Sequence, residues 1–330
     1  MNNKILKKIS KILFVIFLIL FTLSFLIAWK KAVNLGDYPY LDNAVWPTKN
    51  GFYFFTKGEK HRSFDDNGIL YWDYGGNIGK QYNPVSIAQY VLSLVSSPDD
   101  NEIRIILRHL DFLISYAHRT PQGNLVYPYN FDWKPDNQIA PWYSAMAQGQ
   151  VASALLWGNR LTNNPKYYDA AKESILALAE NNNKYHFYKE LKEGGLWLKE
   201  YPNNKWSVLD GSLAAIAGVY DLWRMMSHND PTKDKITDLL KNSLLGFKNS
   251  SIYYKSYYFG HYFSDKKEIP SPSYFFSNLA WLHYISTYDR EIVVIRESYF
   301  KYINFFKKIM LIYRNSLIGR LLYVYMDPCF

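Results

Sequence analysis

Cysteine is nearly absent from this chain of 330 residues: the single one, Cys329, stands next to the C-terminus. An intramolecular disulfide framework and a cysteine-rich zinc site are thereby excluded. The seven histidines show no metal-ligand spacing, and neither a glycine-rich phosphate loop nor a nucleophile elbow is present. No cofactor is expected. Acidic residues are missing from the first 31 positions, where Lys4, Lys7, Lys8, Lys11, Lys30 and Lys31 supply six of the nine net positive charges. The other 299 residues keep only +3, so a pI near 9.2 gives no reason to expect nucleic acid as a partner. With 48% hydrophobic and 20% charged residues, the chain can bury a core and is neither disordered nor fibrous. Aromatic residues are in surplus: 30 Tyr, 20 Phe and 10 Trp make up 18% of the chain.

One uncharged run stands out. Ile12 to Trp29 is 18 residues long and contains only Thr22 and Ser24 as polar interruptions, which reaches the lower limit for a helix crossing a bilayer. A cleavable signal peptide would end in small residues, whereas Ala28-Trp29-Lys30 puts tryptophan there, so an uncleaved anchor is expected. The larger lysine cluster precedes the run, and the positive-inside rule therefore places the N-terminus in the cytoplasm and residues 32–330 outside. The expected organisation is a cytoplasmic tip and anchor (1–31), an irregular leader with short strands such as the Gly51–Phe55 run (32–82), and a helical domain (83–330).

Beyond the leader the apolar residues recur with the helical period. Ile106, Leu110, Leu113 and Ala117 share one face, as do Tyr168, Ala171, Ile175 and Leu178, then Leu213, Ile216, Ala217 and Tyr220, then Ile236, Leu239, Leu240 and Leu244, and last Ile295, Tyr299, Ile303 and Phe306. The spacing predicts paired helices over about 86–97 with 102–118, 144–162 with 165–182, 208–226 with 232–248, and 274–288 with 290–311. Regularly repeated helical hairpins bury their faces on one another and can close into an (α/α) toroid, the fold class expected here: mainly α, with short β-hairpins and the N-terminal transmembrane helix. Tyr185–Lys189 with Leu196–Tyr201 around Gly194-Gly195 reads as a β-hairpin, and Ile252–Phe263 as another. Connections on one rim of such a scaffold, rich in Tyr and Trp, suit the stacking of sugar rings.

Three stretches together resemble the C-terminal domain of D-glucuronyl C5-epimerases. They are Gln81-Tyr82-Asn83-Pro84-Val85-Ser86-Ile87-Ala88-Gln89-Tyr90 after Tyr74-Gly75-Gly76, then Trp142-Tyr143-Ser144-Ala145-Met146-Ala147-Gln148-Gly149-Gln150, and finally Glu200-Tyr201-Pro202 with Val208-Leu209-Asp210-Gly211 and Tyr220-Asp221-Leu222. The resemblance covers roughly residues 65–290. It implies conversion of glucuronic to iduronic acid within heparan-type polysaccharides, and a site of two tyrosines assisted by a glutamate, which match Glu200, Tyr201 and Tyr274. Around Tyr274 the family usually places Arg, Asp and His, whereas this chain has Ser273, Phe275, Phe276, Ser277 and Asn278. The large β-rich region inserted in animal members is also missing.

Inverting C5 of a uronate requires a base on one face of the ring and an acid on the other. Tyrosine, with a pKa near 10 when unperturbed, is suited to the acid role. Glu200 can accept a proton or orient a hydroxyl, and in an extended strand it would point away from Tyr201. The other substrate-binding candidates are Tyr82, Tyr143, Gln148, Gln150, Lys199 and Asn278. Lys199, Lys205, Lys255 and His261 are the cations on rim loops that can face an enolate-like intermediate. For Gln148 and Gln150 a second reading is structural: Gly149 permits close helix packing and the amides cap neighbouring loops. Asp210 is expected to cap a helix beginning near Ser212. The expected function is a membrane-anchored uronic acid C5-epimerase acting on an acidic polysaccharide, as monomer or homodimer. The alternatives are a polysaccharide lyase or glycosidase on the same toroid, and a non-catalytic glycan-binding or assembly module. A glycosidase needs two opposed carboxyls, and Glu200 has no carboxylate partner at a matched motif.

Overall fold

The computed structural model describes residues 62–180, 184–204, 207–254 and 272–300, together with Lys11, Ile12, 14–20, Thr22, Leu23 and Leu26. The chain is mainly helical with short β-hairpins. A three-stranded antiparallel sheet comes first, made of β1 (Ser63–Phe64), β2 (Leu70–Asp73) and β3 (Lys80–Gln81), with Phe64 opposite Leu70 and Trp72 opposite Gln81. Four helical hairpins follow: α1 (Pro84–Leu94) with α2 (Asp100–Tyr116), α3 (Ala145–Thr162) with α4 (Pro165–Leu178), α5 (Leu209–Met225) with α6 (Lys233–Ser250), and α7 (Pro272–Ile285) with α8 (Arg290–Phe300). Each lies within a few residues of the span expected from periodicity, except that α8 is described only to Phe300.

The ends of these helices follow from local chemistry. Asn83 caps α1 by accepting the Ser86 N–H at 3.1 Å, with Pro84 at the first helical position. Asp99 and Glu102 form a reciprocal capping box at α2, with bonds of 2.8 and 3.2 Å. Asn163 closes α3 in the left-handed conformation, and Asn164 then caps α4.

The odd-numbered helices pack side by side as an inner layer, α1 on α3, α3 on α5 and α5 on α7, and each even-numbered helix covers its own partner from outside. Burial follows this order. From Ala145 to Gly158 in α3 and from Leu209 to Leu222 in α5 every residue is buried, whereas α2, α4 and α6 bury one stripe only. Backbones meet where α3 crosses α5: a Cβ on Gly149 would stand 2.6 Å from Ala215 Cα, and one on Gly218 would fall on Gly149 itself. Among the described residues no extensive packing of α7 on α1 closes the expected ring.

The leader sheet is fastened to the first hairpin. Leu70 N–H donates to His109 Nε2 at 3.2 Å, while His109 Nδ1 bonds Ile105 O at 2.8 Å, which fixes a neutral ring with the proton on Nδ1. Between the hairpins lie three β-ladders: β4 (His118–Arg119) with β5 (Leu125–Val126), β6 (Pro128–Tyr129) with β7 (Trp142–Tyr143), and β8 (Tyr188–Glu190) with β9 (Leu196–Leu198). The last is the hairpin expected around Gly194-Gly195, shorter at its outer ends, and the first two had no expectation behind them. At the start of the second expected hairpin, Ser251–Tyr254 forms a 3₁₀ turn; the rest of it lies outside the described residues, as does Gly51–Phe55. In the anchor run the described positions are helical and exposed, and no helix among the described residues is long and apolar enough to cross a membrane.

Candidate active site

The inner helices run in one direction, so the starts of α1, α3 and α5 and the loops before them share one rim. Strand β9 is tied to this rim through two backbone bonds of Lys199, whose carbonyl accepts Ala145 N–H at 2.9 Å and whose N–H reaches Phe187 O at 2.7 Å. The strand ends at Leu198 and the chain turns at once, with Asn204 N–H closing on Tyr201 O at 3.2 Å. Because this is a turn and not an extended strand, Glu200 and Tyr201 do not diverge: the Tyr201 hydroxyl and the Glu200 carboxyl lie near enough to influence each other's proton affinity. Sequence reasoning placed the two side chains on opposite faces, and the early end of the strand corrects it.

Glu200 keeps part of its surface at the rim, but its Oε2 is enclosed and has no hydrogen-bond partner. It lies on Gly211, at the first turn of α5, where a Cβ would collide with both Glu200 Cβ and Oε2. Asp210 stands beside this contact, 4% exposed, with its carboxyl near its own N–H and that of Gly211 and with Oδ1 lacking a partner. Helix α5 begins at Leu209 with Val208 as its cap, so Asp210 is inside the first turn and not the cap of a helix starting near Ser212. Asp136 completes the cluster. It accepts Trp133 Nε1–H at 3.0 Å and Asn204 Nδ2–H at 2.5 Å, docking the loop that contains Lys134–Asp136 on the turn after β9.

Burial dominates the electrostatics of the cluster. It raises the Glu200 carboxyl well above the usual carboxylate range, and the Asp210 and Asp136 charges push it further. Burial likewise lifts Asp210 to about 7. Both carboxyls of this pair therefore hold a proton more tightly than exposed carboxyls do. The Tyr201 phenol is raised well above 10 by burial, with Glu200 and Asp136 adding to the effect, so it stays a proton donor. Among the described residues no grouping of three or more His, Cys, Asp or Glu side chains is arranged to hold a metal ion.

Tyr201 belongs to an aromatic cluster. Its ring lies 5.8 Å from that of Trp142, which stacks on Tyr129 at 3.9 Å with Phe131 packed edge-on. Tyr74 follows at 4.6 Å from Phe131 and 5.7 Å from Trp133. Asn83, the α1 cap, donates to Tyr74 Oη at 2.7 Å.

Of the other sequence-derived candidates, few reach this place. Tyr143 points to the opposite side of β7 from Trp142: it is 2% exposed and its hydroxyl meets His118 Nδ1 at 2.9 Å. Tyr82 donates to Asp65 Oδ2 at 2.6 Å and packs on Phe112 and Tyr116, which fastens the leader to α2. Gln148 is spent on the scaffold, accepting Tyr127 N–H at 3.1 Å and donating to Leu125 O and Ser174 O at 2.8 Å each. Gln150 is fully buried in α3 with both amide atoms unpartnered, and Asn278 is buried in α7 with Oδ1 unpartnered. Lys199 turns its ammonium onto Pro202 O, and burial lowers its pKa. Tyr274 is in the first turn of α7, but its side chain lies outside the described residues, as do Lys205, Lys255 and His261. The residues that sequence reasoning missed here are Asp136, Trp142, Tyr129, Tyr74 and Trp133. Asp210-Gly211 was quoted, but its site role was not. The available signal was a glycine in the first turn of a helix, where its conformational cost calls for a steric reason.

No curated protein matches the chain. Among solved structures, a polysaccharide lyase aligns with 12% identity over 74% of each chain at a TM-score of 0.41. PssZ from Listeria monocytogenes aligns with 10% identity over 76% of this chain and 90% of its own, at 0.36. The family model described as D-glucuronyl C5-epimerase C-terminus matches residues 122–304, a span that holds the second and third sequence motifs, Glu200, Tyr201 and Tyr274, while Gln81–Tyr90 falls before it. Since that span is more than half of the chain, the protein belongs to the D-glucuronyl C5-epimerase C-terminal family.

Proposed function

We propose that this protein is a uronic acid C5-epimerase acting on a glucuronate-containing polysaccharide, held at a membrane by residues 12–29 with its helical domain outside the cytoplasm. The observation that carries the reading is the nearness of the Tyr201 hydroxyl, held by Trp142, to a Glu200 carboxyl packed on Gly211 whose proton affinity is raised by burial and by Asp210. A phenol with a raised pKa is a poor base alone. Joined to Glu200 it works as a relay. As the C5–H bond breaks, the proton goes to Tyr201 Oη, the phenolic proton passes to ionised Glu200, and the electron pair of the bond moves into the substrate carboxylate as an enediolate. In the reverse sense Glu200 returns its proton through Tyr201 to C5. The opposite wall is assigned to Tyr274, in the first turn of α7. Burial and the Asp210 charge raise the Glu200 proton affinity, the direction that suits a carboxyl which must both take up and return a proton.

A glycosidase fits less well. Glu200 does have carboxyl neighbours, contrary to the sequence reading, but Asp210 is enclosed and offers no face to a glycosidic oxygen. A lyase shares the C5 abstraction and differs in expelling the C4 oxygen. Incubation of the full chain with a glucuronate polymer in deuterated water separates the readings. Deuterium at C5 with no cleavage supports the epimerase, unsaturated ends absorbing in the ultraviolet indicate a lyase, and the absence of both leaves a glycan-binding module.

A further inference from the structure

The aromatic cluster does not stop at Tyr201. From Tyr74 it runs on to Trp72, whose ring is 6.5 Å away in an edge-on arrangement. Trp72 is in β2 and Tyr74 directly follows that strand, two residues on, and Trp72 is 51% exposed. A tryptophan so exposed at the end of a two- to four-residue strand contributes little to a core, and the leader's attachment to the body is already made by Leu70 with His109 and by Tyr82 with Asp65. Beside Tyr74, Trp133 is half-buried, with its indole N–H held by Asp136. Rings are thus continuous from the solvent edge of the leader sheet to the Tyr201–Glu200 pair, each step between 3.9 and 6.5 Å.

We propose that Trp72, Tyr74 and Trp133 form an extended subsite on the leader sheet that binds the uncharged sugar rings of the polysaccharide on one side of the reacting uronate. The chemistry selects that class. Flat aromatic faces suit the C–H faces of a pyranose, and the polar groups bonded to these rings are the Asn83 amide on Tyr74 and the Asp136 carboxyl on Trp133. A carboxylate placed there would face Asp136, whereas an N-acetylhexosamine meets rings and an amide. The subsite is continuous with the catalytic cluster because Asp136 serves both. It rests on the proposed site in this sense only: the epimerase reading sets which ring lies at Tyr201.

The test uses two probes, an unsulfated polymer alternating glucuronate with N-acetylglucosamine and a trisaccharide with one central glucuronate. Binding is measured by affinity electrophoresis and tryptophan fluorescence, and turnover by C5 deuterium uptake. Trp72→Ala is expected to weaken binding of the polymer by about tenfold relative to the trisaccharide, and Trp72→Phe to restore most of it. A merely structural role would lower thermal stability and weaken both probes alike. Equal effects on the two probes, no effect on either, or a parent protein that binds neither would overturn the subsite. Length-selective, Trp72-dependent binding without C5 exchange in the parent would leave the subsite standing and reject the epimerase reading instead.

Discussion

Replacing Gly211 by alanine separates the placement of Glu200 from the stability of the fold. The new Cβ would stand 2.6 Å from Glu200 Cβ, and closer still to Oε2, against 3.4–4 Å in ordinary contact. The carboxyl end can swing aside, but Cβ is fixed to the backbone, so the turn after β9 must retreat from α5 by about 1 Å. Overpacking of this kind costs ~1–3 kcal/mol, and exchanging glycine for alanine within a helix returns up to ~1 kcal/mol. The net loss of stability is therefore about 0–2 kcal/mol. A displacement of ~1 Å at a reacting group costs about a hundredfold in rate. Gly149→Ala serves as the contrast. Its Cβ would meet only backbone, 2.6 Å from Ala215 Cα and 2.9 Å from Ala214 O, so α3 and α5 must part and stability suffers more. Urea denaturation and C5 exchange, measured on both variants, give the comparison. A Gly211→Ala protein with the parent rate would refute the placement of Glu200 on α5 as the basis of its function.

Tyr201→Phe should lower C5 exchange by about two to four powers of ten while polymer binding is nearly kept, because the ring stays on Trp142 and only the proton carrier is lost; a parent-like rate would remove Tyr201 from the relay. Tyr274→Phe should do the same with the opposite preference between glucuronate and iduronate, read from single-turnover exchange in each direction. Burial lifts Asp221 to about 7 from an ordinary 3.8, so its proton is held more tightly folded than unfolded and stability falls as pH rises from about 4 through 7. Asp221→Asn, which keeps the acceptor for the Tyr284 hydroxyl, should flatten that fall by up to about 1.4 kcal/mol per pH unit in denaturation curves; an unchanged slope would refute the assignment. Gln148→Leu leaves Tyr127 N–H, Leu125 O and Ser174 O without their partner, and should cost roughly 3–5 kcal/mol in the same assay. A C-terminal reporter active only outside the cytoplasm should give signal, and the reverse result would refute the orientation.

The helical hairpins were legible because their outer members must hide one stripe and show another, and the period of Ile106, Leu110 and Leu113 records that directly. The inner helices were found for a different reason, their small and apolar composition between turn signals. Which helices are inner was not legible, since it depends on packing between residues far apart in sequence. Strand ladders of two residues carry too little alternation to detect, and so β6 and β7, which hold Tyr129 and Trp142 at the site, were missed. The same brevity hid the difference between Trp142 and Tyr143: adjacent strand residues face opposite sides, and a motif names both without saying which side is the core. Glu200 and Tyr201 were identified by resemblance alone. Their mutual contact was not, because it is made by a turn whose onset at Leu198 no propensity marks.

The common direction of the inner helices has a consequence for charge. Near the site the first turns of α1 and α5 present backbone N–H groups that no carbonyl of the same helix takes up: Val85 N–H faces the Tyr129 phenol, and the N–H groups of Asp210 and Gly211 face the Asp210 carboxyl. Each helix start is equivalent to roughly half a positive charge, confined to its first turn. The rim therefore has an electropositive lining made of peptide groups. Such a lining does not titrate and cannot be deleted by replacing one side chain. Acidic groups can gather there, and an anionic sugar can approach them, without a ring of arginines to balance the charge.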